Sequence, residues 1–138
     1  MSLEIVAARL PLSGVRVLVV DDDASARAVV KDVLEAEGAA VATASSAEEA
    51  LDELHEPLPD VMVSDISMPV EDGFTLVERL RTRDHERGGD VPCIALTGYL
   101  SSEDRDRASR VGFQAYLVKP ADPGDLVEAV QAQVRAAS

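Results

Sequence analysis

Short apolar runs rich in β-branched residues alternate along this chain with segments of helical spacing, and that alternation admits few folds. Val15 to Val20 is the first such run, of the kind expected for a strand buried on both faces. A helix is predicted from about Ala24 to Glu37, with Val29, Val30, Val33 and Leu34 on one face and Gly38 past its end. Ala39 to Thr43 reads as a short second strand. Ser46 and Glu49 have capping-box spacing; the helix behind them carries Ala47, Ala50, Leu51 and Leu54 and stops before Pro57. Val61 to Ser64 reads as the third strand. A loop opened by Met68-Pro69 runs through Gly73 into a helix bearing Phe74, Val77 and Leu80. Arg81 to Asp90 is charged and glycine-rich, so it reads as a surface loop. Val91 to Leu96 and Ala115 to Val118 read as the fourth and fifth strands. Between them, Ser101 to Val111 is a helix with few apolar positions, hence weakly anchored. The last helix runs from about Pro123 to Ala136, with proline in its first turn and Leu126, Val130 and Val134 inward. Five strands alternating with five helices make an α/β domain with a parallel sheet, and right-handed crossovers leave a few doubly wound orders.

The 138 residues suit one domain, taken as residues 15–138, with residues 1–14 set aside as an N-terminal extension or linker. Aromatics are only 3% of the chain and tryptophan is absent, so the core must be aliphatic. Acids outnumber bases 26 to 13. A surplus of that sign argues against direct contact with nucleic acid or an anionic membrane, both of which require basic surfaces. Cys93 is the only cysteine; it lies in an apolar run and reads as a small buried hydrophobe. No internal disulfide is possible, and a cytoplasmic location is expected. No stretch is apolar enough to span a bilayer, and residues 1–14 lack the apolar segment of a signal peptide.

In open parallel sheets ligands bind beyond the carboxyl ends of the strands. Asp21, Asp22 and Asp23 follow the first strand. Asp65 follows the third, Thr97 and Gly98 the fourth, Lys119 and Pro120 the fifth. Carboxylates, a hydroxyl and an ammonium thus gather at one edge. Two unit charges about 4 Å apart repel by roughly 4 kcal/mol at an effective dielectric of ~20. A divalent cation with a taste for oxygen, magnesium (or manganese), offsets such repulsion. A carboxylate beside it can attack phosphorus, while Thr97 and Lys119 hold phosphoryl oxygens and Gly98 leaves room for the group. Each piece also has a plainer reading. Asp21 to Asp23 could be a helix N-terminal cluster, Asp65 a turn former, Thr97 and Lys119 surface residues. It is their conjunction on one edge that favours chemistry. His55 and His85 follow no strand and read as solvated.

The segments VLVVDDD (Val17 to Asp23), SDISMPVEDG (Ser64 to Gly73), ALTG (Ala95 to Gly98) and AYLVKP (Ala115 to Pro120) together resemble the response-regulator receiver domain. The resemblance covers nearly everything from Val15 onward. It implies a flavodoxin-like sheet of order 2-1-3-4-5. It implies that Asp65 is the phosphorylated aspartate and that Asp21 and Asp22 hold magnesium, together with Asp65 and the backbone carbonyl of Ser67. Thr97 matches the switch hydroxyl and Tyr116 the aromatic switch. Lys119 matches the family's lysine, with Lys119-Pro120 expected to be cis. Ser67 and Tyr99 fall where members vary and where the lifetime of the aspartyl phosphate is set. The implied partner is a histidine kinase or a histidine phosphotransfer domain, and the implied state a monomer or weak homodimer. The wording LTGY and EDRDRASRVGF is similar to receivers fused to hybrid sensor histidine kinases. No output domain is read after the last helix, so a stand-alone receiver or a piece of a longer kinase is expected.

Two other readings compete. Asp21 to Ser25 can be read as D-x-D-x-S of a haloacid-dehalogenase-type enzyme with Asp21 as nucleophile, which leaves Asp65 unexplained. A pseudo-receiver would keep the fold as a binding scaffold, but such domains usually lack one of the acids, the threonine or the lysine, all present here.

Overall fold

The computed structural model describes residues 10–98 and 101–137. Strands β1 (Arg16–Val20), β2 (Ala40–Ala44), β3 (Val61–Ser64), β4 (Cys93–Thr97) and β5 (Ala115–Val118) alternate with helices α1 (Ala24–Ala36), α2 (Ala47–Glu53), α3 (Gly73–Arg81), α4 (Ser102–Val111) and α5 (Pro123–Ala137). The strands form one sheet of order β2-β1-β3-β4-β5, with every pair parallel. This is the doubly wound α/β fold expected.

Side-chain alternation along the strands splits the core into two layers. Leu18, Val20, Met62, Cys93 and Ala95 face α2, α3 and α4, where Ala50, Leu51, Leu76, Val77, Leu80 and Ala108 meet them. Val17, Val19, Val61, Val63, Ile94 and Leu96 face α1 and α5, against Val30, Leu34, Leu126 and Val130. The three inner strands are buried along nearly their whole length, which is why they read as unbroken apolar runs.

Several details depart from the sequence reading. Val29 points outward, 62% exposed, because the width of α1's buried stripe ends at Val30. The strand β2 runs one residue later than expected, paired Arg16 to Ala40 and Val20 to Ala44. Leu12, in the segment set aside, is completely buried, and its N–H donates to the carbonyl of Glu37. The Ser46–Glu49 box is half formed: Ser46 Oγ accepts from the Glu49 N–H, but the Glu49 carboxylate reaches back to the N–H and hydroxyl of Ser45.

Arg81 to Asp90 is a surface loop only in part. Arg81 ends α3, and its guanidinium donates to the carbonyls of Gly89, Val91 and Gly112 and to Gln114 Oε1, tying α3 to the ends of β4 and α4. Gly88 and Gly89 are buried; a Cβ on Gly89 would run into the Arg83 carbonyl oxygen.

Helix α4 is as thinly packed as its sequence suggested, with Ala108 its one buried residue. Two cations supplement that contact. Arg107 lies 4.3 Å from the ring centre of Phe74 and Arg105 lies 5.1 Å from that of Tyr116. A full capping box opens the helix: Ser101 Oγ accepts from the Asp104 N–H, and the Asp104 carboxylate accepts from the Ser101 N–H. Because so little else anchors α4, Ser101→Ala is expected to cost about 1 kcal/mol in urea denaturation and to raise amide exchange across Ser102–Val111 first. Uniform exchange over the whole domain would show that the cap is not a local anchor.

Candidate functional site

The sheet places Asp21, Asp65 and Lys119 one step beyond strand ends and fixes each backbone with a further hydrogen bond, whereas the fourth strand starts later than expected, at Cys93, and includes Thr97. The Asp21 N–H donates to the carbonyl of Ala44, the Asp65 N–H to that of Val20, and the Lys119 N–H to that of Thr97. Neighbouring strands therefore hold these positions in register, and the side chains emerge on one edge. Thr97 ends β4 and is buried, with a relative exposure of 2%.

The expected acidic cluster is present. Carboxylate oxygens of Asp21, Asp22 and Asp65 lie within 4.8 Å of one another, with Asp21 and Asp65 buried and Asp22 facing solvent. Lys119 enters from the end of β5, its Nζ 2.7 Å from Asp21 Oδ2 and 3.6 Å from Asp65 Oδ2. Asp65 Oδ1 accepts a hydrogen bond from the Ser67 N–H. Two carboxylates and one ammonium thus share a shielded space, with a third carboxylate at its mouth.

Asp23 stands apart from its neighbours. Its carboxylate accepts from the N–H groups of Ser25 and Ala26, so it is the N-cap of α1. The plain reading of the acidic run as a helix N-terminal cluster is right for this residue. Asp21 is also engaged: Oδ1 accepts from the Asp23 N–H, and Oδ2 from Lys119. Both Asp21 oxygens are thus held by contacts within the chain, Oδ2 by the Lys119 ammonium at 2.7 Å against 3.6 Å for Asp65 Oδ2, which makes Asp21 the less available nucleophile.

Burial raises the Asp65 carboxyl above its ordinary 3.8; the Lys119 charge opposes this, Asp21 adds to it, the Ser67 N–H opposes it and Asp22 adds to it. Burial works against the Lys119 ammonium, but the hydrogen bond to Asp21 and the charge of Asp65 outweigh it and hold the group above its ordinary value. One ammonium therefore neutralises the cluster incompletely. Oxygen donors with surplus negative charge suit a hard divalent cation, so the residues present fit magnesium.

A pH dependence follows from Asp65. Its folded carboxyl keeps its proton to higher pH than the unfolded one. Its contribution to stability is present below the unfolded value and is lost as pH rises through the folded value. Without metal, Asp65→Asn is therefore expected to gain stability relative to the natural chain as pH climbs from about 4 towards neutrality. Urea titrations of both proteins across that range test this; a constant difference would show that Asp65 is not perturbed.

The remaining expected residues are placed as follows. Tyr116 on β5 is 42% exposed, turned outward. Lys119-Pro120 is cis, as is Glu56-Pro57, which was not foreseen. Among the described residues, a Cβ at Gly98 would meet nothing within 4 Å. Tyr99 lies outside the described residues. His55 and His85 are exposed, and His85 bonds Asp90. Burial pushes the Cys93 thiol up to about 11, so it is inert as a nucleophile at neutral pH.

Sequence reasoning missed Arg27, and it gave Gly73 only as the end of a loop, where Gly73 is the first residue of α3 packed against the Asp65 carbonyl. Arg27 on α1 donates to the carbonyl of Asp21 at 2.7 Å and steadies that strand end. The only sequence signal of Arg27 was a cation in the first turn of the helix that follows the acidic run.

The chain matches the family described as response regulator receiver domain over residues 17–131. It is 47% identical over 120 residues to an uncharacterized 14.6 kDa protein of Leptolyngbya boryana, covering 87% of this chain and 90% of that protein. It also spans about half the length of several transcriptional regulators that it matches. Among solved structures it is similar to the chemotaxis protein CheY4 of Vibrio cholerae, with 35% identity, a TM-score of 0.79, and 86% and 97% of the two chains covered. The receiver domain of the sensor histidine kinase PA1611 of Pseudomonas aeruginosa, solved with a magnesium ion coordinated in its active site cleft, has 27% identity and a TM-score of 0.80, with 89% and 99% covered.

Proposed function

The chain belongs to the response-regulator receiver domain family of two-component systems, and from that membership we propose that Asp65 accepts a phosphoryl group from a phosphohistidine partner. The observation that carries this is the state of the Asp65 carboxylate. It is shielded at the end of β3, within 4.8 Å of two more carboxylates, and its Oδ2 has only a 3.6 Å approach from a lysine already committed to Asp21. Such a carboxylate is short of compensating charge and gains it when a cation and a phosphoryl group arrive.

In the proposed reaction an Asp65 carboxylate oxygen forms a bond to phosphorus, the phosphorus–nitrogen bond of the donor breaks, and the imidazole leaves with the electron pair. Asp21, Asp22, Asp65 and the Ser67 carbonyl would hold magnesium, which supplies charge neutralisation at the phosphoryl oxygens. Lys119, anchored by Asp21, holds a second phosphoryl oxygen. Thr97, one strand over, holds the third. With Thr97 drawn to the phosphoryl group, Tyr116 can turn from its exposed position into the vacated space. That shift would remodel the surface formed by α4, β5 and α5 and so carry the signal. The proposed partner is a histidine kinase or phosphotransfer domain, and the proposed state a monomer or weak homodimer. No described helix is long and apolar enough to cross a membrane.

Incubation with acetyl phosphate and magnesium is expected to add one phosphate that is stable to acid and labile to base, seen as a single mass shift. A chain that stays unlabelled at every donor concentration would favour the scaffold reading.

Metal binding is separately testable. Magnesium at millimolar concentration is expected to raise the melting temperature, since a ligand of the folded state stabilises it in proportion to log concentration at saturation. Asp22→Ala should blunt that response, because Asp22 is the exposed member of the cluster and its loss disturbs packing least. Equal responses in both proteins would place the ion elsewhere.

A further inference from the structure

The three carboxylates of the cluster are held in different ways. Asp65 is buried and accepts from the Ser67 N–H. Asp21 is buried and bonded at both side-chain oxygens. Asp22 faces solvent, and among the described residues no hydrogen bond or ion pair holds its carboxylate. Its direction must therefore come from its backbone.

That backbone is fixed on both sides. A peptide unit is planar, so a residue whose two flanking peptide planes are held has no free dihedral left with which to swing its Cβ. The plane that enters Asp22 contains the Asp21 carbonyl, which accepts from Arg27 Nη1 at 2.7 Å. The plane that leaves Asp22 contains the Asp23 N–H, which donates to Asp21 Oδ1 at 2.9 Å. Arg27 is itself placed by the first bond of α1, from its own N–H to the Asp23 carbonyl at 2.9 Å. One half-buried residue thus grips the chain before and after Asp22. Its side-chain bond is charge-assisted, and the planar guanidinium loses little freedom in making it.

We propose that Arg27 is a positioning residue for the divalent cation, aiming the Asp22 carboxylate at those of Asp21 and Asp65, a role that rests on the proposed magnesium site. Geometry and charge pull in opposite directions here. Acting through its charge alone, a guanidinium beside the cluster would repel a cation, and its removal would tighten metal binding. Acting through the Asp21 carbonyl, it holds a ligand in place, and its removal loosens binding.

Arg27→Met and Arg27→Lys test this with manganese(II), which prefers oxygen ligands as magnesium does and whose free ion is counted by electron paramagnetic resonance. The titrations are run well below the melting transition, with circular dichroism confirming the fold. Arg27→Met is expected to bind manganese about tenfold more weakly, at the low end of the loss seen when a group that orients a metal ligand is removed. Arg27→Lys should recover part of that loss, since an ammonium can donate to the same carbonyl. A merely structural role would lower the metal-free melting temperature and leave the dissociation constant in place. Binding that is unchanged or tighter in Arg27→Met therefore overturns the assignment. In an Asp22→Asn chain the added Arg27→Met should change the dissociation constant less than about twofold, because the carboxylate that Arg27 aims is gone. A full tenfold loss there would mean that Arg27 acts on another ligand, and would overturn it as well. A natural chain that binds no manganese at millimolar concentration would remove the metal site, and the role of Arg27 with it.

Discussion

Asp65→Asn is expected to abolish labelling by acetyl phosphate, while Asp23→Asn leaves it at the natural level. The carboxamide has no anionic oxygen with which to form the bond to phosphorus, so the loss should be complete rather than partial. The second variant is a strict comparison because it sits two residues from Asp21 and removes the same charge. Its carboxylate, however, caps α1 through Ser25 and Ala26, and asparagine caps a helix about as well as aspartate. Folding and labelling should both survive. The experiment also separates the competing chemistry. Label that persists in Asp65→Asn but vanishes in Asp21→Asn would move the nucleophile to the first strand and support the dehalogenase reading. Circular dichroism of each variant shows whether a lost label reflects chemistry or unfolding; Asp65→Asn should be folded, since it removes a charge that burial penalises.

Gly73→Ala is expected to be the most damaging single methyl group near the site. Gly73 opens α3, and a Cβ there would strike the carbonyl oxygen of Asp65 and stand 2.9 Å from the Cα of Ile66. Both are backbone atoms, so no rotamer change relieves the clash. Retreat of Asp65 is opposed by its N–H bond to Val20, and retreat of Gly73 by its N–H bond to Ile66. Overpacking of this kind costs typically 1–3 kcal/mol, and about 3 kcal/mol is expected here because neither side is free to yield. The melting temperature should fall by roughly 10 °C. Whatever accommodation does occur moves Asp65, so labelling by acetyl phosphate should slow in the fraction that remains folded. Urea denaturation and labelling at a temperature well below the transition read the two effects separately. Natural stability in this variant would mean that the loop is not closed on Asp65 as described.

Much of this was legible in the sequence because parallel sheets write themselves plainly. Strands buried on both faces become short apolar runs, and the residues that follow them must lie on one edge. That logic alone brought Asp21, Asp22, Asp65, Thr97 and Lys119 together before any coordinates. The family resemblance added the strand order, the separate roles and the cis Lys119-Pro120 peptide.

What the sequence left open were matters of direction and partner choice. Three consecutive aspartates are equal by spacing alone; the resemblance set Asp21 and Asp22 apart, and the tertiary structure showed Asp23 turned onto the helix and Asp21 towards Lys119. Arg81 read as the start of a surface loop because charge usually marks solvent. Its guanidinium instead satisfies carbonyls at the ends of β4 and α4, contacts between segments far apart in the chain that no local pattern encodes. Leu12 falls in the stretch that reads as an N-terminal extension, yet it is buried because α1 ends against it. Val70 is the sharpest case: the sequence shows a valine in a loop, and only the folded backbone shows its positive φ of 68° and its full exposure. The alternation of apolar runs determined the fold and the edge on which its chemistry collects, because burial acts on residue type and spacing. The tertiary structure alone decided which carboxylate is left short of compensating charge, because charge pairing depends on distances set by the whole sheet.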